Sequence, residues 1–221
     1  MWFGTDQGVY SDKDELKHYN RNNGLINNEV SHIRQDYKSN IWIATPTGMS
    51  KYDAIADSML RFDEIIGLPL IPISHIFEDN EHNIWISTDG KGVMHFPGEA
   101  FQNYSVQDGI CSNIILSITE DLEGNYWFGT YKSGLCEFDG TSFTSLQEEE
   151  GIARGPIWTS LCDTKGRLWF GSSVGLYLIE NGELTTFTEA DSLLHNKINS
   201  LHEDELGNIW IGTSTGLSCY N

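Results

Sequence analysis

Basic residues are scarce in this 221-residue sequence, which has 13 Lys and Arg against 32 Asp and Glu and a formal net charge of −19. Phosphate binding needs clustered Lys and Arg, so the composition argues against nucleic acid as a partner. An anionic membrane surface is disfavoured for the same reason. The acidity is better explained by a soluble, self-repelling surface than by an acidic binding face.

Long apolar runs are also missing from the sequence. No stretch approaches the roughly 18 apolar residues that a membrane-spanning helix needs, so we expect no membrane insertion. The chain starts directly in a repeated motif, Met1 to Thr5, with no basic and apolar leader. This pattern predicts either a cytoplasmic protein or a piece of a larger one.

Cysteines are few and are not arranged as metal ligands. The four, at Cys111, Cys136, Cys162 and Cys219, show no Cys-x-x-Cys spacing, and most occupy small apolar positions of the repeat. Free buried thiols are therefore favoured over disulfides. No cofactor and no metal site is predicted.

Tryptophan, in contrast, recurs at a fixed spacing along the whole chain. Successive members of the series are 40, 43, 42, 42 and 41 residues apart, and each opens a phrase such as Trp-Phe-Gly-Thr; the series is Trp2, Trp42, Trp85, Trp127, Trp169 and Trp210. A period near 42 indicates one supersecondary unit repeated six times. Such a unit buries its apolar faces only against its neighbours, so we predict that these tryptophans pack between repeats.

Each repeat contains signals for four short strands. An aspartate stands six residues before five of the tryptophans, after a β-branched run and before a Gly or Asn turn; these are Asp36, Asp79, Asp121, Asp163 and Asp204. Glycines and aromatic residues bound the later strands of each repeat. The sequence therefore predicts an all-β protein, a β-propeller of six repeats with four-stranded blades of about 42 residues, in a single domain over residues 1–221.

The terminal repeats are incomplete. The first lacks the strand before Trp2, and the last ends at Asn221 without its fourth strand. The chain is then either a closed six-bladed ring with two three-stranded blades, which we favour, or an open arc. Open blade edges would allow an oligomer to form.

The best repeats resemble a known family. The phrase from Glu120 to Thr130 (Glu-Asp-Leu-Glu-Gly-Asn-Tyr-Trp-Phe-Gly-Thr) and the segment Glu203 to Leu217 closely resemble the two-component regulator propeller repeat. The family's Gly-Leu-x-x-Asn-x-Val connector is matched from Gly24 to Val30. In that family the repeats usually form the extracytoplasmic sensing part of bacterial hybrid histidine kinases, which often respond to carbohydrate fragments.

The resemblance implies a function and a location. It implies a non-catalytic ligand-sensing or interaction module of bacterial signal transduction, not an enzyme. The partner would be a small polar ligand, such as an oligosaccharide, or another protein. A piece of a sensor kinase would be periplasmic. The alternatives are a propeller enzyme with a channel site, either a lyase or a metal-dependent hydrolase, and a protein-docking scaffold.

The candidate ligand residues are those that differ from the residues at equivalent positions of the other repeats, in or next to the connectors that lead into the first strand of each repeat. They are Glu29, Arg154, Trp158, His195 and Lys197. An arginine can clamp a carboxylate or a sugar oxygen, and a tryptophan can stack on an apolar ring face. Three asparagines recur in register in these connectors, Asn28, Asn113 and Asn196, so we interpret them as turn residues that satisfy the backbone.

Two histidines share one position in adjacent repeats. His32 and His75 should therefore lie near each other, as an acid–base or metal pair or as hydrogen-bonding structural residues. The equivalent positions elsewhere are Ser117, Thr159 and Ser200, which favours the structural role.

Overall fold

The structure is a computed structural model, and it describes residues 1–12, 15–62, 68, 70–97, 101–146, 151–152 and 155–221. The chain divides into two compact units, unit 1 at Met1–Tyr104 and unit 2 at Ser105–Asn221, and each is described by itself. Over the described residues the chain is all-β apart from one short 3₁₀ turn at Glu189–Asp191, and it forms six antiparallel sheets.

Unit 1 holds three sheets, in each of which the strands pair with their neighbours in the chain. The first sheet has three strands: β1 (Trp2–Thr5), β2 (Gly8–Ser11) and β3 (Lys17–Tyr19). The second has four: β4 (His32–Gln35), β5 (Ile41–Thr45), β6 (Gly48–Asp53) and β7 (Ser58–Phe62). The third also has four: β8 (Ile73–Glu78), β9 (Ile84–Thr88), β10 (Val93–Phe96) and β11 (Gln102–Tyr104).

Unit 2 repeats this plan. The fourth sheet comprises β12 (Ile115–Glu120), β13 (Tyr126–Thr130), β14 (Leu135–Phe138) and β15 (Phe143–Leu146). The fifth comprises β16 (Ile157–Cys162), β17 (Leu168–Ser172), β18 (Leu176–Glu180) and β19 (Glu183–Phe187). The sixth has three strands, β20 (Ile198–Glu203), β21 (Ile209–Thr213) and β22 (Leu217–Tyr220). The predicted all-β fold of six repeats is confirmed, and the two terminal sheets have three strands because their repeats are incomplete.

The tryptophans pack between neighbouring sheets within each unit. Trp127 lies against Phe170 of the next sheet with ring centroids 5.8 Å apart, and Trp169 lies against Tyr220 at 5.0 Å. In unit 1, Trp2 lies 4.9 Å from Tyr52. The packing prediction is confirmed at these positions. Trp210, on the last sheet, keeps 37% of its surface exposed.

The recurring aspartate has a second role that the turn pattern did not reveal. In all five repeats that carry it, one carboxylate oxygen accepts backbone N–H bonds of the turn, and the other accepts the indole N–H of the tryptophan six residues on at 2.8 or 2.9 Å. Each buried indole N–H therefore has a partner, which removes the cost of burying an unpaired donor. The aspartate fixes the hairpin and orients the tryptophan together.

The prediction of four free thiols is wrong for two of them. Cys111 and Cys136 form a disulfide with Cα atoms 5.8 Å apart, while Cys162 and Cys219 are free. The repeat explains the proximity, because in the second and sixth sheets a serine hydroxyl at the position of Cys136 accepts the connector N–H. These bonds are Ile26 N to Ser50 Oγ at 3.0 Å and Leu194 N to Ser218 Oγ at 3.1 Å.

Candidate functional site

A β-bulge marks the start of the first strand in four sheets. The strand register shifts between Ile73 and His75, Ile115 and Ser117, Ile157 and Thr159, and Ile198 and Ser200. The extra residues are Ser74, Leu116, Trp158 and Asn199. A bulge re-aims the side chain of its extra residue, and bulges are common next to functional sites. The repeat thus supplies one re-aimed, variable position in each of these sheets.

In unit 2 the bulges lie at one end of adjacent strands. Ser117 Oγ, near the start of β12, donates to the carbonyl of Ile157 at the start of β16 at 3.4 Å. A Cβ placed on Gly171 would meet both Thr159 of β16 and Ile198 of β20 at 2.6 Å. The starts of β12, β16 and β20 are therefore neighbours. We call this region the bulge end of unit 2.

Three of the predicted ligand residues come together at the bulge end. Trp158 is 36% exposed, and the ammonium of Lys197 lies 6.0 Å from the centre of its ring. His195 Nδ1 accepts the backbone N–H of Lys197 at 2.9 Å, and the Lys197 carbonyl accepts from Ser214 N at 3.1 Å. The backbone of Lys197 is therefore held on both sides of the residue. The arrangement presents an aromatic face with a cation beside it.

The remaining two predicted residues stand apart from this group. Glu29 is exposed in unit 1, where its backbone N–H donates to Asn27 Oδ1 at 3.2 Å. Arg154 lies outside the described residues.

The sequence analysis did not identify a further aromatic residue with a lysine beside it at the bulge end of unit 2. Tyr131, in the turn after β13, is 40% exposed, and Lys132 Nζ lies 5.4 Å from its ring centre. The N–H of Tyr131 donates to the carbonyl of Ile114, directly before β12, as Ser214 does to Lys197 before β20. The usable signal was the break in the turn pattern: Tyr131 stands where the next two repeats have serine.

The recurring connector asparagines are turn residues, as predicted. Each side-chain oxygen accepts the backbone N–H of the residue seven positions earlier, at 2.8 Å for Asn28, 2.9 Å for Asn113 and 2.8 Å for Asn196. Their acceptor oxygens are occupied in shaping the connector.

The histidine pair lies in unit 1, with the rings of His32 and His75 only 4.4 Å apart. Burial lowers the pKa of His32 to about 4, with the Arg34 charge adding to the effect. Burial, then His32 and Arg34, lower the pKa of His75 to about 3. His32 Nδ1 accepts the N–H of Ile76 at 3.2 Å, which gives this ring a structural role. Within the described ranges, no group of three or more His, Cys, Asp or Glu is placed to hold a metal ion.

The repeated antiparallel sheets and the connector sites define a propeller-like repeat protein. The family model of the two component regulator propeller matches residues 24–47, 67–90 and 192–215. These three segments are similar to the two component regulator propeller repeat, which confirms the resemblance seen in the motifs of the chain. No curated protein matches the chain.

Solved structures similar to the chain include an extracellular domain from a bacterium. The extracellular domain assigned to a hybrid two component system of B. thetaiotaomicron is 27% identical, with a TM-score of 0.87 over 99% of this chain and 31% of that chain. PorZ, a surface component of the type-IX secretion system of Porphyromonas gingivalis, is 18% identical, with a TM-score of 0.78 over 99% of this chain and 36% of that one. The chain thus spans about a third of the length of these two proteins.

A virginiamycin B lyase from Staphylococcus aureus also shares the fold. It is 14% identical, with a TM-score of 0.74 over 98% of this chain and 78% of the lyase. At this identity the likeness concerns the fold alone. Among the described residues no helix is long and apolar enough to cross a membrane.

Proposed function

We propose that the chain is a non-catalytic ligand-sensing module of a bacterial signalling protein, and that it binds a small polar ligand such as an oligosaccharide at the bulge end of unit 2. The observation that carries the proposal is Trp158, exposed on a bulge with the Lys197 ammonium 6.0 Å from its ring centre. The proposed contacts are Trp158, His195 and Lys197. Arg154, on the preceding connector, and Glu29 remain candidates.

The chemistry of these side chains suits a sugar. An exposed indole offers a flat apolar surface on which the C–H face of a pyranose can stack. A lysine beside the ring can donate to hydroxyl or carboxylate oxygens with its three N–H groups. The backbone bonds of Lys197 limit the entropy lost when it is ordered by a ligand, which favours affinity.

Two observations support signalling outside the cytoplasm. The chain is 27% identical to an extracellular domain assigned to a hybrid two component system. In addition, the Cys111–Cys136 disulfide is of a kind that persists in oxidising compartments and is rare in the cytosol. We therefore place this chain in the periplasm or at the cell surface, as the sensing part of a longer protein.

Residues 1–221 are proposed to act as one propeller domain, and exposed blade edges are the proposed route to an oligomer. Differential scanning calorimetry tests the first point, since one domain unfolds in a single transition and two independent domains unfold in two. Light scattering tests the second, because the monomer has a mass of 24.9 kDa.

The deciding experiment compares two tryptophans of equal exposure. Trp158 and Trp210 are 36% and 37% exposed, but only Trp158 lies at the bulge end. A panel of neutral and acidic oligosaccharides is titrated by calorimetry into the unaltered protein and into Trp158→Ala and Trp210→Ala variants. We expect binding to be lost in Trp158→Ala and kept in Trp210→Ala. Equal binding by all three proteins would refute the assigned site, and no binding of any saccharide would favour a protein-docking scaffold.

A further inference from the structure

A cleft lies at the end of the strands of unit 2 that is opposite the bulge end. Its volume is about 670 Å³, and it runs between the fourth and fifth sheets. Turn residues that follow the first strands, among them Glu123 and Lys165, form its rim, whereas the bulge end lies where those strands begin. This cleft is therefore separate from the proposed sugar site. We call it the Glu137 cleft, after the carboxylate in its wall.

About half of the wall of the Glu137 cleft is apolar. Trp127 forms part of it, together with Leu146 of the fourth sheet and Leu168, Ile179 and Leu184 of the fifth. A ligand that enters the cleft would remove this apolar surface from water, which favours binding. The cleft thus offers an apolar surface against which the body of a ligand can lie.

Glu137 is one of four charged residues that line the cleft in the described part of the chain, with Asp121, Glu123 and Lys165. It lies on β14 directly across from Trp127 of β13, and it is partly buried. Among the described residues its carboxylate has no hydrogen bond and no ion pair. Burial raises the pKa of Glu137, and the charges of Asp121, Asp139 and Glu123 add to the effect. A cation placed beside this carboxylate would relieve both the repulsion and the desolvation cost.

The other repeats show what this position can hold. In the second sheet, the residue across from Trp42 is Lys51, whose ammonium lies 5.0 Å from the centre of that indole ring. In the third sheet it is His95, stacked on Trp85 at 4.2 Å. The second repeat therefore keeps a cation beside its tryptophan, and the third keeps an imidazole whose pKa is lowered by burial. The first, fifth and sixth repeats have the uncharged residues Ser11, Leu178 and Cys219 there. The fourth repeat has an acid there, next to an open cleft.

We propose that the Glu137 cleft binds a small organic cation, an ammonium or amidinium group carried on an apolar body. The charge would pair with Glu137 beside the Trp127 ring, in the place that Lys51 takes beside Trp42. The apolar body would lie against Leu146, Leu168 and Leu184. Cation–π attraction by the indole adds to the ion pair in this partly desolvated position. Anions of the same shape are disfavoured because, among the described residues, three carboxylates line the cleft against the single ammonium of Lys165.

The test uses benzamidine as the cation and benzamide as its neutral analogue of the same shape. Both are titrated by NMR or calorimetry into the full chain and into Glu137→Gln and Glu183→Gln variants. Glu183 is the matched control because it is an exposed carboxylate of the same unit that does not line the cleft. We expect benzamidine to bind at least about tenfold more tightly than benzamide, and Glu137→Gln alone to abolish that difference.

Three results would overturn the proposal: equal affinity for benzamide and benzamidine, full affinity in Glu137→Gln, or no binding of benzamidine up to about 10 mM, the weak end of measurable affinity. A second variant tests the geometry without relying on a loss of charge. Glu137→Lys introduces a tethered ammonium like that of Lys51, so it should raise Tm and prevent benzamidine from binding. A folded Glu137→Lys protein that still binds benzamidine would place the cation elsewhere.

Discussion

The indole N–H of Trp169 donates to Oδ2 of Asp163 at 2.8 Å, and Arg167 Nε donates to the same oxygen at 2.6 Å. The guanidinium of Arg167 also lies 5.0 Å from the Trp169 ring and 5.5 Å from that of Tyr220 on the next sheet. One buried carboxylate thus holds a turn, a tryptophan and a cation that reaches the neighbouring sheet. The other repeats place asparagine where Arg167 stands.

Removal of the Asp163 carboxylate should strongly destabilise the fold. Asp163→Ala leaves a buried guanidinium and a buried indole N–H without their acceptor, so we expect a loss of about 3–5 kcal/mol in the free energy of unfolding. Urea denaturation followed by circular dichroism measures it. Asp204→Ala is the control, because the equivalent Trp210 is 37% exposed and water can replace the lost acceptor. Equal losses in the two variants would contradict this account of Asp163.

The disulfide should stabilise the fold measurably. It joins residues 25 positions apart, so the loop-entropy model predicts a loss of about 3 kcal/mol when it is removed. Cys111→Ala with Cys136→Ser should lose less than Cys111→Ala with Cys136→Ala, because the introduced hydroxyl can accept the connector N–H as Ser50 and Ser218 do. Calorimetry with and without reductant makes the comparison. If reductant leaves the Tm of the unaltered protein unchanged, the disulfide does not stabilise the fold.

The histidine pair should make unit 1 sensitive to acid. Both folded-state pKa values, about 4 for His32 and about 3 for His75, lie below the unfolded value of 6.5. The folded state therefore binds fewer protons, and the stability from the neutral rings is complete above pH 6.5 and lost as the pH falls toward 3.

A single substitution tests this dependence. His75→Ser introduces the residue that two other repeats have at this position, and it should flatten the fall in Tm between the unfolded pKa of 6.5 and the folded pKa of about 3. His202→Ser, at an exposed histidine, should leave the fall unchanged. An unchanged slope in His75→Ser would assign the acid sensitivity to other groups.

One buried hydroxyl should be dispensable. Ser87 is fully buried, and its Oγ has no hydrogen-bond partner among the described residues, whereas the second repeat has Ala44 at this position. We expect Ser87→Ala to gain about 1 kcal/mol, since a buried unpaired polar group is removed. Ser172→Ala should lose stability, because that hydroxyl bonds Val174 N and the Gly175 carbonyl. Guanidinium denaturation that ranks the two variants in the opposite order would refute the explanation.

The sequence predicted much of what recurs in each repeat, although not the bond between the aspartate and the indole. Tryptophans at a fixed period defined the sheets, and the register of Asn28, Asn113 and Asn196 predicted their bonds to backbone N–H groups. Those features depend on local geometry, which is the same in every repeat. Trp158 and Lys197 were singled out for the opposite reason, because nothing in the repeat required them.

Other features depend on pairing across strands, and sequence spacing does not encode that. The bulge that re-aims Trp158 is a shift in register between β16 and β17. Prediction of the disulfide would have required knowing that the connector containing Cys111 passes over Cys136. Glu137 became informative only when its place opposite Trp127 could be compared with Lys51 opposite Trp42.

Over the described residues, every strand pair joins neighbours in sequence, and no β-ladder joins one sheet to another. Neighbouring repeats are held together by connectors, by face-to-face packing and by side-chain hydrogen bonds such as those from Ser117 to Ile157 and from Ile76 to His32. Gene duplication or deletion can therefore add or remove one repeat of about 42 residues without breaking the hydrogen bonds of any β-ladder. The number of repeats can thus change during evolution while the bulge positions of the four sheets that have them stay available for a new ligand contact.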